Sequence, residues 1–191
     1  QPYLLRIGAA IKMTVCLIRH GKTEANEKHL YCGSTDLPLS EKGREELSQI
    51  HYDIKNVSFL TSGMKRTDET LKILFGGIPF DTDLRFREVD FGIFEMHSYK
   101  QLKDTQEYQA WLAGDNEANV PPGGESGEKM KQRVLGAFTE IEEDTCIITH
   151  GGVIAAIMEY LFPEENKIRY DWQPKNGYGY EIQGREYKSI P

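Results

Sequence analysis

Five side chains in this sequence have the types and placement to do chemistry together: Arg19, His20, Arg66, Glu88 and His150. Arg19 and His20 close a four-residue apolar run, Val15 to Ile18, and lead into Gly21, the pattern of a buried strand that stops in a polar turn. His150 ends a second such run, Thr145 to Thr149, and leads into Gly151-Gly152. Arg66 falls in the first turn of a helix expected after the short apolar stretch Val57 to Thr61, and Glu88 follows a third stretch, Phe80 to Phe86. In open α/β sheets ligands bind outside the carboxyl ends of the strands, so the five are expected in one pocket. Guanidinium groups match phosphate oxygens in a bidentate way. With a histidine as nucleophile and a carboxyl group as proton donor, the set suits a tetrahedral dianion transferred through a covalent intermediate.

The elements that must hold these residues can be read from the spacing. Thr23 to Lys28 begins a short helix, and the Gly- and Pro-containing stretch Tyr31 to Pro38 is a loop. Ser40 is a candidate N-cap for a helix expected to run through Ile54, with Leu47, Ile50 and Ile54 on one face. Ser62 is the candidate cap of the next helix, whose Thr67, Leu71, Leu74 and Phe75 share a face. A strand and turn are expected over Phe80 to Gly92, and Ser98 with Gln101 makes a capping-box pattern. Asp115 to Gly124 reads as a loop. Ser126 then opens the clearest amphipathic helix, with Met130, Val134, Ala137, Phe138 and Ile141 on one side. An apolar helix is expected from Val153 to Leu161, and a terminal hairpin or edge strands within Arg169 to Ile190. Strands alternating with helices predict a three-layer α/β/α sandwich on a mostly parallel central sheet.

At 191 residues, 39% hydrophobic and 28% charged, the chain fits one soluble domain over residues 13–191. Met13 stands two positions before the first strand, so residues 1–12 read as an extension, non-native or a mis-assigned start. The net charge of -7 argues against a nucleic-acid surface, and no apolar run approaches the roughly 20 residues a membrane span needs. Cys16, Cys32 and Cys146 form no C-x-x-C pair, which suggests reduced thiols in the cytoplasm; Cys32 is assigned no catalytic role. Monomer and homodimer both stay open.

The ordered motifs resemble the histidine phosphatase superfamily, the clan of cofactor-dependent phosphoglycerate mutase, over residues 13 to about 185. Arg19, His20, Gly21, Thr23 and Asn26 match R-H-G-x-T-x-x-N, and Gly33, Asp36, Pro38 and Leu39 match G-x-x-D-x-P-L. Ser62 and Arg66 match S-x-x-x-R; the stretch from Arg85 through Glu88, Gly123 to Ser126, and His150 to Gly152 match the three later blocks. The resemblance implies a phosphoglycerate mutase-like fold with His20 as phosphate acceptor. It implies that Arg19, Arg66 and His150 bind the transferring group, and that Glu88 is general acid and then base. It further implies that Thr23, Asn26, Gly33 and Gly151 help to hold phosphate or substrate. The arginines do the work that magnesium does elsewhere, so neither a metal nor another cofactor is expected.

Within that clan, the mutases carry a long insertion between acid and second histidine with paired arginines for the substrate carboxylate. Residues 89–132 here contain no arginine, only Lys100, Lys103, Lys129 and Lys131. A small-molecule phosphomonoesterase, similar to broad-specificity and alpha-ribazole phosphatases, is therefore favoured over a mutase and over a catalytically weak binding protein. Phe94, Tyr99, Tyr108 and Trp111, with Asp104, Glu107, Asp115 and Glu117 nearby, are expected to cover a neutral or apolar leaving group. Where relatives often have glycine after the Glu95 position this chain has Met96, a bulky side chain expected to narrow the pocket or move the covering segment.

Three sharper motifs fail. Gly21-Lys22-Thr23 lacks the earlier P-loop glycine, where Cys16 stands. Gly124-Glu125-Ser126-Gly127 is one residue short of a nucleophile elbow. His29, His51 and His97 show no metal-ligand spacing.

Overall fold

The computed structural model describes residues 13–191, so the expected extension, residues 1–12, lies outside the described residues. Six strands form one sheet in the order β3-β2-β4-β1-β5-β6: β1 (Thr14–Arg19), β2 (Ser58–Thr61), β3 (Asp81–Thr82), β4 (Thr145–Thr149), β5 (Gly179–Gln183) and β6 (Glu186–Ile190). The first four in chain order run parallel, and β5 and β6 close one edge as an antiparallel hairpin. Strands β1 and β4 are unbroken apolar runs because helices cover both faces of a parallel sheet. Val15, Leu17 and Ile147 face one core with Met130, Val134, Ile154 and Ile157. Cys16, Ile18, Cys146 and Ile148 face the other with Leu71. A slip of one residue would exchange the two sets of side chains, so packing fixes the register. That register sets Arg19 beside Thr149.

The helices are α1 (Glu24–Glu27), α2 (Glu41–Ser48), α3 (Lys65–Phe75), α4 (Tyr99–Leu102), α5 (Gln106–Leu112), α6 (Gly127–Phe138), α7 (Gly151–Leu161) and α8 (Arg169–Trp172). Ser40, Ser98 and Ser126 cap α2, α4 and α6 as expected. Three expectations are corrected. Helix α2 stops at Ser48, not Ile54; Tyr52, Ile54 and Val57 reach the second core from irregular chain beyond it. Ser62 does not cap α3, because Gly63 at φ +74° turns the chain between them and Met64 takes the N-cap place. Helix α7 starts two residues early, at Gly151, where a distant carboxylate caps it. Strand β3 is only two residues long, and Leu84–Phe86 is a 3-10 turn.

Candidate active site

Two adjacent parallel strands end together and deliver the two central histidines. The backbone N–H of His20 donates to Thr149 O at 2.9 Å, and His150 is the residue after Thr149. Their rings lie 5.2 Å apart between centroids, edge to face. Both are buried, at 6% and 0% exposure. The His20 Nδ1 atom lies 2.6 Å from Gly21 O. A carbonyl only accepts, so Nδ1 carries the proton and Nε2 presents its lone pair. Burial, then the positive charges of Arg66 and Arg19, pushes the His20 pKa well below its ordinary 6.5. His150 is pushed the same way by burial, then by Arg66, His20 and Arg19. Both rings are therefore neutral at pH 7.

The arginines flank this pair. Arg66, 1% exposed, donates from its two terminal nitrogens to Thr35 O at 2.8 Å and Gly33 O at 2.7 Å. Arg19 donates to Pro174 O at 2.9 Å, and its Nε is buried with no partner. The arginine ion pairs among the described residues fall on Arg44, Arg85, Arg133 and Arg169. Arg19 and Arg66 have none. A buried guanidinium (Arg66) and a half-buried one whose Nε is shut from solvent (Arg19), held only by carbonyls, are costly unless an anion joins them.

Glu88 reaches the same place from the segment after β3. Its Oε2 accepts from Gly152 N–H at 2.9 Å and its Oε1 from Val89 N–H at 2.9 Å, so the carboxylate caps α7, whose dipole favours negative charge there. A Cβ on Gly152 would lie 2.5 Å from Glu88 Oε1, and one on Gly151 would lie 3.2 Å from the Arg19 guanidinium. Glycines at the start of α7 therefore give both charged groups room.

Thr23 and Asn26 form the capping box of α1: Asn26 Oδ1 accepts from Thr23 N–H at 2.9 Å and from the Thr23 hydroxyl at 3.0 Å. The Asn26 amide nitrogen has no hydrogen-bond partner among the described residues. Gly33 gives its carbonyl to Arg66 and its N–H to Glu95, and a Cβ there would lie 1.7 Å from Val89 O. His29, His51 and His97 are all exposed.

Sequence reasoning missed three supporting groups. Glu95 gathers the N–H groups of Gly33, Ser34, Thr35 and Phe91, and thereby fixes the loop that holds Arg66. Arg133 pairs with both oxygens of Glu125 at 2.7 and 2.8 Å. It also donates to the carbonyls of Arg85, Arg87 and Glu88, clamping the segment that carries the acid. Ser62, read as a cap, instead bonds His150. The covering segment also differs from expectation, because Phe94 and Tyr108 are 1% and 2% exposed and form their own small core. Tyr31, Phe91 and Trp111 pack on it partly exposed, with the Tyr31 and Tyr108 hydroxyls 2.6 Å apart. Met96 sits at φ +61°, a left-handed conformation that glycine adopts without steric cost. A cavity of about 500 Å³ lies at the opposite, amino end of the sheet, beside Ser58, Asp81 and Glu143. It contains none of the five side chains.

The histidine phosphatase superfamily (branch 1) model matches residues 15–188. The chain belongs to that superfamily. Among histidine phosphatases it is 31% identical over 162 residues to an adenosylcobalamin/alpha-ribazole phosphatase of Salmonella typhimurium, covering 78% of this chain and 79% of that protein. It is 32% identical over 167 residues to human 6-phosphofructo-2-kinase/fructose-2,6-bisphosphatase 4, covering 83% of this chain and 34% of that protein. The crystal structure of a phosphoglycerate mutase from Thermus thermophilus superposes with a TM-score of 0.74 at 26% identity, covering 89% of this chain and 92% of that one. The α/β/α sandwich expected from the strand and helix pattern, and the phosphoglycerate mutase-like fold implied by the family resemblance, are therefore the fold of this histidine phosphatase.

Proposed function

We propose that residues 13–191 form a single domain that hydrolyses small-molecule phosphate monoesters through a phosphohistidine on His20. The observation that carries this reading is a neutral histidine, its Nε2 lone pair free, beside buried Arg66 and half-buried Arg19, whose Nε is buried, neither of which has a carboxylate partner among the described residues. The phosphoryl group of the substrate supplies the missing negative charge. Its oxygens take Arg19 Nε, Arg66, His150, the Gly151 N–H and the Asn26 amide. Thr23 and Gly33 act by holding Asn26 and Arg66. The Nε2 lone pair forms the N–P bond as the P–O bond to the leaving group breaks, and Glu88 gives that oxygen a proton. Water then attacks phosphorus while the Glu88 carboxylate takes its proton, and the N–P bond breaks to free His20. Fixed guanidinium groups stabilise the charge in both transition states.

Hydrolysis is favoured over mutase chemistry because the covering segment, residues 89–132, carries no arginine to grip a second anion bidentately. Lys131 is held by Glu117 and Glu159, and Lys103 lies near Asp104. The exposed faces of Tyr31, Phe91 and Trp111 suit a neutral, flat leaving group; the alpha-ribazole phosphate for which the Salmonella relative is named belongs in any panel. Three unpaired cysteines, two of them buried in the sheet, favour the cytoplasm.

The test is phosphate release from p-nitrophenyl phosphate and a panel of monoesters in EDTA, for wild type and His20→Ala. Metal-independent turnover lost in the variant, with labelled phosphate trapped on the wild-type protein alone, is the expected result. Turnover that survives in His20→Ala overturns the phosphohistidine. Interconversion of 3- and 2-phosphoglycerate after priming with bisphosphoglycerate, without net release, makes the chain a mutase. A higher efficiency on bisphosphates than on neutral-leaving-group esters refutes the assignment of substrate class.

A further inference from the structure

His150 is held by a buried chain of hydroxyl groups that ends on a carbonyl. Its Nε2 lies 2.8 Å from Ser62 Oγ, Ser62 Oγ lies 3.1 Å from Thr67 Oγ1, and Thr67 donates to Met64 O at 2.8 Å. His150, Ser62 and Thr67 are all fully buried, so each polar atom must find its partner within the protein. Each hydroxyl has one proton. The Met64 carbonyl can only accept, so the Thr67 proton is committed to it. The Ser62 proton must then fill the contact with Thr67. What Ser62 has left for His150 is a lone pair, and His150 Nε2 must be the donor. A neutral imidazole has one N–H, so Nδ1 is bare, and it is the ring nitrogen that is buried without a partner. A bare lone pair repels a phosphate oxygen.

We propose that Ser62 is a positioning residue which, fixed as an acceptor by Thr67 and Met64, commits the His150 proton to Nε2, so that binding of a phosphate dianion brings one further proton from solvent onto His150 Nδ1. The ring then donates to Ser62 on one side and to phosphate on the other, and its positive charge offsets one charge of the dianion. The groups facing it are Arg66 on α3, Arg19 and His20 at the end of β1, Arg133 on α6, and Glu88, bonded to Gly152. The arginines keep their charge throughout. His20 and Glu88 are the other groups able to take the proton, and neither touches Thr67. This inference deepens the phosphatase reading and rests on it.

The test combines calorimetry of inorganic phosphate binding at pH 8, in buffers of different ionisation enthalpy, with ¹⁵N spectra of the histidine rings. Wild type is expected to take up close to one proton per phosphate. Free His150 is expected as the Nε2–H tautomer, becoming doubly protonated in the complex. Thr67→Val frees the Ser62 proton to donate to Nε2. That variant should show free His150 as the Nδ1–H tautomer, with uptake falling towards zero, and Ser62→Ala should lose uptake as well. A wild-type Nδ1–H tautomer, uptake unchanged in Thr67→Val, or a second proton found on His20 overturns the proposal. If phosphate does not bind at all, the phosphatase reading itself fails; binding without uptake sinks this inference alone.

Discussion

Replacing Glu95 with glutamine changes no atom that would touch a substrate, yet it should cost the site its shape. The carboxylate oxygens of Glu95 accept from Gly33 N–H at 3.0 Å, Ser34 N–H at 2.8 Å, Thr35 N–H at 3.4 Å and Phe91 N–H at 3.1 Å, and from the Thr35 hydroxyl at 2.7 Å. A glutamine has one oxygen and one NH₂. Because Ser34, Phe91 and Gly33 share Oε1, the amide should keep its oxygen there and aim NH₂ at Thr35, whose N–H then faces another donor. Three hydrogen bonds to a charged acceptor become neutral, at about 1 kcal/mol each before discounting for water at this half-exposed loop, the Thr35 N–H bond is lost, and the Thr35 hydroxyl must turn round to accept from the NH₂. A net loss of about 2–3 kcal/mol follows, or a fall in Tm of roughly 5–10 °C for a domain of this size. The consequence for activity runs through Arg66, whose two anchors are the carbonyls of Gly33 and Thr35. Misplacing a charge stabiliser by about 1 Å costs on the order of 100-fold. Urea unfolding and kcat/KM on p-nitrophenyl phosphate, measured well below the Tm of the variant, give the two numbers. A kcat/KM within twofold of wild type, in a variant destabilised as stated, would show that the 33–35 loop does not hold Arg66 in its working position.

Protonation offers a second test. The folded His20 pKa lies well below 6.5, chiefly through burial and then through Arg66 and Arg19, so between that value and 6.5 the unfolded chain binds a proton that the folded one refuses. Stability from this source is complete above pH 6.5 and drains as pH falls below it, by up to about 1.4 kcal/mol per pH unit. His20→Gln should therefore lose less stability than wild type between pH 6.5 and 5; equal losses refute the cause assigned to the shift. Gly152→Ala adds a Cβ 2.5 Å from Glu88 Oε1 at a helix position where alanine is worth up to about 1 kcal/mol over glycine. The expected result is a Tm within a few degrees of wild type with turnover down at least about tenfold, and a fully active variant would place the acid elsewhere. Met96 at φ +61° carries the left-handed cost of about 1–2 kcal/mol, against which glycine adds about 0.4–1 kcal/mol of unfolded-state entropy. Met96→Gly should accordingly raise Tm by a degree or more, and a lower Tm would mean that the methionine side chain packs better than its backbone suffers.

Arg19, His20 and His150 were legible because each is anchored at the end of a run that the sequence marks, whereas Asn26 was reached only through the family resemblance. Val15 to Ile18 and Thr145 to Thr149 are apolar without alternation, so both had to be buried parallel strands, and strands packed on both faces have one register. Once Arg19 stands beside Thr149, His20 and His150 have nowhere to be but side by side. The groups that hold these residues in working order left no comparable mark. Gly33 and Glu95 are 62 positions apart and Arg133 and Glu88 are 45 apart, and in both pairs one partner is a backbone group that every residue type possesses. Ser62 misled for a related reason: a serine before a helix has two uses for one hydroxyl, and only the turn at Gly63 and the arrival of His150 from the other end of the chain decide between them. The α2 boundary failed differently, since Ile54 reaches the core from a helix or from irregular chain alike, and periodicity records only that it reaches it. A charged constellation can thus be assembled from composition and spacing, while the protonation state of its histidines follows from carbonyls and hydroxyls that spacing does not show. The Gly21 carbonyl leaves His20 Nε2 bare, and the Met64 carbonyl, two hydroxyls away, leaves His150 Nδ1 bare. Two chemically identical rings in near contact are thereby given different bare nitrogens, one to attack phosphorus and the other to take up the proton with which it then holds the phosphate oxygen.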